Sequence, residues 1–174
     1  MTHALPLERW TRLPPGTAGG YRPWLLDHGS LTRRIQRRCE AFSVRGVRQR
    51  ESRISSRGGR ELGRVLVREV FLHCGEAAVV YASSVLPLDS LHGPWRRLGA
   101  LGTKPLGAVL FADPRVKRLP LCFKKLHPRH ILYRRASAAL DKRPTFLWAR
   151  RSEFRLGKGR IWVTEVFLPT ILEL

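Results

Sequence analysis

Two charged residues interrupt stretches of sequence that are otherwise apolar. Arg68 stands in RVLVREVFLH and Glu165 in RIWVTEVFLP, both rich in β-branched and aromatic side chains. Arginine offers a planar fork that grips a carboxylate through two parallel hydrogen bonds. Glutamate can accept from a hydroxyl or carry a proton, the more so where burial raises its pKa toward neutrality. Side chains alternate along a strand, so Arg68 shares a face with Leu66, Val70 and Leu72. The same count puts Glu165 with Ile161, Val163 and Phe167. A charge on a buried face costs on the order of several kcal/mol unless it is paired or meets a ligand. One economical arrangement has both charges lining a single cavity. A structural salt bridge between core strands, or exposure of one face, explains the pattern at least as well.

Other residue types that could do chemistry are less suggestive. Cys39, Cys74 and Cys122 are scattered, with no CxxC spacing, which fits reduced thiols better than a disulfide framework. None has a local sequence that marks a nucleophile, and unpaired cysteines are mostly small apolar fillers. His127 and His130 flank Pro128 near Cys122, but a metal needs three or four converging ligands and the proline spoils helical spacing. They read as solvated loop residues, and no metal or other cofactor is expected.

The elements that must position Arg68 and Glu165 are partly legible. The 174 residues suit one domain with a real core. Residues 1–20, with Pro14, Pro15, Gly16, Gly19 and Gly20, read as a flexible lead-in to a domain over 21–174. The start lacks the basic and apolar regions of a secretory signal, and no stretch approaches the roughly 20 apolar residues of a membrane span, so a cytoplasmic protein is expected. RPWLLDHGS suggests a short apolar turn or helix. Ser30 can cap a helix through SLTRRIQRRC that buries Leu31, Ile35 and Cys39 and turns its arginines to solvent. Residues 42–48 form a possible strand, followed by a basic polar loop, ESRISSRGGRELG. RVLVREVFLH and AVVYASSVLP, joined at HCGEAA, form an antiparallel strand pair closed by Pro87. Short helical turns follow, broken at Gly93 and Pro94, and KPLGAVLF starts a helix at its proline. Residues 112–145, with four prolines, cannot be placed. FLWARRSEFRL, a turn at GKG and a last strand complete an α+β domain, an antiparallel β-sheet with inserted helices.

The net charge of +20 is unevenly spread. Residues 33–60 carry ten arginines against Glu40 and Glu51, and residues 115–143 carry ten lysines and arginines against Asp141. Such segments invite a nucleic-acid reading, but no zinc-finger spacing or aromatic-rich RNA-binding strand accompanies them. A solvated basic surface that draws in an anionic substrate explains them better.

Specific strings carry a resemblance. LLDHGSLTRRI, VLVREVFLH, the VLP of SSVLP, GTKPLGAVLF, LWARRSEFRL and VTEVFLP occur in the order found in bacterial chorismate lyases, spanning roughly residues 24–169. The resemblance implies a monomeric enzyme that releases pyruvate from chorismate and leaves 4-hydroxybenzoate for ubiquinone biosynthesis. By position it implies that Arg68 grips the ring carboxylate and that Glu165 meets the ring hydroxyl. It also implies main-chain contacts from Leu31, where the family usually has methionine, and from Leu106. The enolpyruvyl carboxylate is left without an assigned partner: Arg150 or Arg151 could serve, though an exposed role suits either better. Residues 112–145 look longer and more basic than the family pattern, and nothing is carried over there. Effector domains of some transcription regulators share the fold, but too little precedes Arg22 for a helix-turn-helix segment, so sensing without catalysis is not expected.

Overall fold

A computed structural model describes residues 10–12, 16, 18–55, 61–93 and 95–174. Seven strands form one antiparallel sheet: β1 (Phe42–Ser55), β2 (Glu61–Cys74), β3 (Ala77–Pro87), β4 (Lys117–Arg118), β5 (Cys122–Leu126), β6 (Leu147–Leu156) and β7 (Gly159–Phe167). Their order is β1-β2-β3-β7-β6-β4, with β5 also paired to β6. This is the expected α+β architecture.

The β2–β3 connection is tight because Gly75, at φ +56°, takes the left-handed first position of a two-residue turn. Between β1 and β2 the strands run further than expected. The segment read as a basic loop continues β1 to Ser55 and resumes as β2 at Glu61, while residues 56–60 lie outside the described residues. Arg48, Glu51 and Arg53 are exposed, so this edge ribbon lacks the apolar alternation that reveals a strand. The register of β1 shifts between Arg45 and Arg48 at Gly46, whose φ of +61° admits a bulge.

One face of the sheet is covered by α1 (Arg22–Leu26), α2 (Leu31–Gln36) and α4 (Leu106–Leu110). Trp24, Leu25, Leu31 and Ile35 pack there against Val70, Leu72, Val80, Trp148 and Phe167. Ser30 caps α2 as expected, accepting from the Arg33 amide, although α2 ends at Gln36 and Cys39 is buried just beyond it. Not all its arginines face solvent: Arg34 stacks 4.4 Å from the Trp24 ring centroid and bonds Asp27 at 2.9 Å. Leu88–Leu91 (α3) and a 3-10 turn at Arg96–Ala100 close the lower end of this face around Trp95, Leu98 and Phe154.

The opposite face is covered by α5 (Ile131–Ala136), within the stretch that could not be placed. His130 is no idle loop residue, since its Nδ1 caps α5 by accepting from the Leu132 amide at 3.1 Å. Glu69, 5% exposed, anchors this side by pairing with Arg50 at 2.6 Å and Arg135 at 2.5 Å and by accepting from the Tyr81 hydroxyl. Burial pushes the Glu69 carboxyl up, but the Tyr81 and Arg50 hydrogen bonds and the Arg135 charge outweigh it and hold the pKa below the usual range.

Within the expected lead-in, residues 1–9, 13–15 and 17 lie outside the described residues. Thr11, however, exchanges two backbone hydrogen bonds with Phe123 on β5, and Trp10 packs on the second core cluster.

The expectation of three reduced thiols is corrected. Cys39 and Cys74 are disulfide-bonded, with Cα atoms 5.8 Å apart, leaving Cys122 free. Spacing along the chain could not show this, because the β1–β2 register, which sets Phe42 opposite Cys74, brings the two together. Denatured oxidised protein should therefore show one titratable thiol, rising to three after reduction. Reduction should also lower Tm by roughly 5–15 °C, from about 2–4 kcal/mol of disulfide stabilisation in a domain of this size; thiol titration and a melt with and without dithiothreitol measure both.

Candidate active site

Sheet register decides which side chains meet. Arg68 on β2 pairs with Ser84 on β3, which pairs with Val163 on β7 and then Ser152 on β6. The next row on the same face is Val70, Ala82, Glu165 and Arg150. Arg68 and Glu165 thus share a face but stand two strands and one row apart, about 12 Å between Cα atoms from standard strand spacings. They do not form the salt bridge that pattern alone allowed.

Both line one partly open cavity between the sheet and the starts of α2 and α4. Val44, Val70, Leu72, Leu110, Phe111 and Val163 make most of the wall apolar. Leu31 and Leu106 also line it, and each is the first residue of its helix, where a backbone N–H lacks an intrahelical acceptor. The helix starts approach closely because position 107 is glycine: a Cβ there would lie 3.1 Å from the Ser30 hydroxyl oxygen.

Arg68 is 6% exposed. Its Nη2 donates to the carbonyls of Gly102 at 2.9 Å and Lys104 at 3.2 Å, and its buried Nε has no acceptor among the described residues. No carboxylate among them bonds it. Burial accordingly pushes the guanidinium pKa down. A buried cation with an idle donor and no carboxylate partner among the described residues can accept an anionic ligand.

Glu165 has a different environment. Its Oε2 accepts from Arg150 Nε at 2.5 Å, across the β6–β7 pair. Arg150 Nη1 donates to the carbonyls of Trp24 at 2.8 Å and Asp27 at 2.6 Å, so one guanidinium orients the carboxylate and ties α1 to the sheet. Arg150 is fully buried and Arg151 is 6% exposed, which corrects the exposed role expected for both. Arg150 lies behind Glu165, outside the cavity lining. Arg151 points to the other face, donating to Thr164 Oγ1 at 2.9 Å with its guanidinium 4.1 Å from the Trp10 ring centroid.

A second cation in the cavity lining was missed. Arg118, on β4, sits in the stretch that could not be placed. Its Nε donates to Ser152 Oγ at 2.8 Å, and its Nη1 to the carbonyls of His28 at 2.8 Å and Gly29 at 3.3 Å. Desolvation pushes its pKa down to about 10, with Glu165 and Asp27 opposing that shift and Arg150 adding to it. No signal in the sequence separates Arg118 from its basic neighbours, because a two-residue strand shows no period. Arg150 had a readable signal, since strand alternation places it with Trp148, Ser152 and Phe154. Cys122 and His127 do not approach the cavity, and no group of three or more His, Cys, Asp or Glu among the described residues could hold a metal ion.

Three kinds of likeness bear on this site. A family profile described as chorismate lyase matches residues 17–173. A probable chorismate pyruvate-lyase of Nitrosospira multiformis is 48% identical over 99% of both chains, and one of Methylobacillus flagellatus is 44% identical over 96% of both. Among solved structures, gene product SA0254 of Staphylococcus aureus has a TM-score of 0.54 at 8% identity, covering 82% of this chain and 89% of that one. A regulator of the GntR family from Bacillus cereus has a TM-score of 0.51 at 11% identity, covering 74% and 92%. At those identities the structures establish a shared fold alone.

Removing Arg150 would leave Glu165 and two main-chain carbonyls without their donor. Arg150→Met is expected to cost about 3–5 kcal/mol, read as a lower urea midpoint with an unchanged m-value.

Proposed function

The chain belongs to the chorismate lyase family, and from that premise we propose that it removes pyruvate from chorismate to leave 4-hydroxybenzoate. The observation that carries the reading is Arg68, a buried guanidinium with an idle donor, sharing a mostly apolar cavity with Glu165. An aromatic acid with a hydroxyl opposite its carboxylate matches that spacing and polarity.

In this reading Arg68 grips the ring carboxylate, helped by the amides of Leu31 and Leu106. Glu165, oriented by Arg150, accepts from the ring hydroxyl at the far end. The carbon bearing that hydroxyl loses its proton, the neighbouring ether carbon–oxygen bond breaks with its electron pair leaving on oxygen, and the ring becomes aromatic. The departing enolpyruvate takes up a proton on its methylene carbon and becomes pyruvate. Aromatisation drives the step, so the protein has to hold a dianion in a reactive pose and stabilise charge on the leaving oxygen. In this reading Glu165 serves as the orienting acceptor or the proton carrier, and no cofactor is needed for this balance.

The surroundings suit an anionic substrate. Arg33, Arg34, Arg37 and Arg38 of α2 and its flank line a depression that shares Gly29 with the cavity. Such a cluster raises the encounter rate of a dianion. Several arginines of the basic segments are already paired with the chain's own carboxylates, among them Arg45 with Glu76 and Arg115 with Asp113. We therefore read the charge as a substrate-attracting surface and not as a nucleic-acid site. No described helix is long and apolar enough to cross a membrane. We place the enzyme in the cytoplasm as a monomer supplying 4-hydroxybenzoate to ubiquinone biosynthesis. The proposed chemistry uses neither Cys39 nor Cys74.

Purified protein incubated with chorismate should yield pyruvate and 4-hydroxybenzoate in equal amounts; conversion no faster than the spontaneous rate contradicts the proposal. Arg68→Ala, kept folded, should lose roughly 100-fold or more in kcat/KM, on the scale of a lost bidentate charged contact. Glu165→Gln should lower kcat more than it raises KM.

A further inference from the structure

The lyase reading leaves one charge of its substrate without a partner: the carboxylate of the enolpyruvyl group. We propose that Arg118 binds that carboxylate and stabilises the enolpyruvate as it leaves.

Position across the sheet carries the inference. Arg68 is on β2, Glu165 two strands away on β7, and Arg118 two strands further on β4, beyond β6. The register sets Arg118 beside Phe154, on the same face as Ser152 and Val163, and all three cavity-lining charges therefore project to one side. The substrate offers its polar groups in a matching order, carboxylate, hydroxyl and second carboxylate. Its ring carboxylate lies opposite the hydroxyl, and the ether oxygen is on the ring carbon next to the hydroxyl-bearing one. With the ring carboxylate on Arg68 and the hydroxyl on Glu165, the enolpyruvyl group leaves the ring on the Glu165 side, where Arg118 stands.

The donors of Arg118 are disposed for this task. Nε and Nη1 are held by Ser152, His28 and Gly29, which fix the guanidinium, while Nη2 has no hydrogen-bond partner among the described residues. Phe111 and Phe154 lie against the guanidinium, 5.7 and 5.3 Å from their ring centroids, lowering the local polarity in which an anion would be bound. The influence of Glu165 on the Arg118 pKa, with none resolved on Arg68, agrees with placing Arg118 at the hydroxyl end. Arg150 and Arg151, the candidates from sequence, are engaged elsewhere: the first behind Glu165, the second on the other face.

The test compares two ligands that differ in the enolpyruvyl group. Arg118→Gln and Arg118→Lys are assayed for chorismate turnover and, by calorimetry, for binding of 4-hydroxybenzoate, which lacks the second carboxylate. Arg118→Gln should lower kcat/KM for chorismate roughly 10- to 100-fold, on the scale of a lost hydrogen bond to a charged group, with the Kd of 4-hydroxybenzoate changed less than about 3-fold. Arg118→Lys should recover part of the loss, and Arg68→Ala should weaken both ligands together. Parallel losses for both ligands in either Arg118 variant, as a merely structural role in holding the Gly29 turn would give, overturn the proposal. So does unchanged turnover. Wild-type protein assayed alongside separates this from the lyase reading: without wild-type turnover the lyase reading falls and takes this proposal with it, whereas wild-type turnover with parallel losses overturns the Arg118 assignment alone.

Discussion

A guanidinium wholly removed from water must have its charge answered by the protein, and Arg150 is in that position. It reaches a carboxylate on the neighbouring strand and two carbonyls at the end of α1. The contact therefore does two things at once. It fixes the rotamer of Glu165 at the mouth of the β6–β7 pair, and it fastens the α1–α2 segment over the sheet. That segment supplies Leu31 and Gly29 to the cavity and the His28 and Gly29 carbonyls that hold Arg118. If this ion pair were absent, the wall and two of the three cavity charges would lose their common reference.

The two faces of the sheet solve the burial of charge differently. On the α5 side, Glu69 is answered by Arg50, Arg135 and Tyr81, a closed network that leaves its carboxylate with nothing to gain from a ligand. On the cavity side, Arg68 has carbonyl acceptors for one nitrogen and no carboxylate at all among the described residues. Similar residue types thus give a closed structural cluster on one face and, on the other, an uncompleted one that is the proposed binding site. The difference lies in whether the protein completes the pairing, since an uncompensated buried charge persists only where something else answers it.

Arg68 and Glu165 were readable because each interrupts a strand that is otherwise largely apolar on both faces. The β2–β3 turn and the α2 cap were readable because Gly75 and Ser30 act locally. Other features depend on pairing between distant segments, which local pattern does not encode. The outer part of the β1–β2 ribbon is polar on its exposed edge, so it looks like a loop. Two short strands and a six-residue helix between prolines carry too few periods to register, and they hide Arg118. Cys39 and Cys74 are 35 residues apart and meet only through strand register. The salt bridge that pattern could not exclude was resolved by a single fact: β3 stands between Arg68 and Glu165.

In the proposed function, one mostly apolar cavity holds an aromatic acid between a cationic end at Arg68 and an acceptor end at Glu165. A crystal structure of the protein with 4-hydroxybenzoate measures this directly. The ligand carboxylate is expected within hydrogen-bond distance of the Arg68 guanidinium, with its hydroxyl directed at Glu165. A ligand bound in the reverse sense, or outside this cavity, would contradict it.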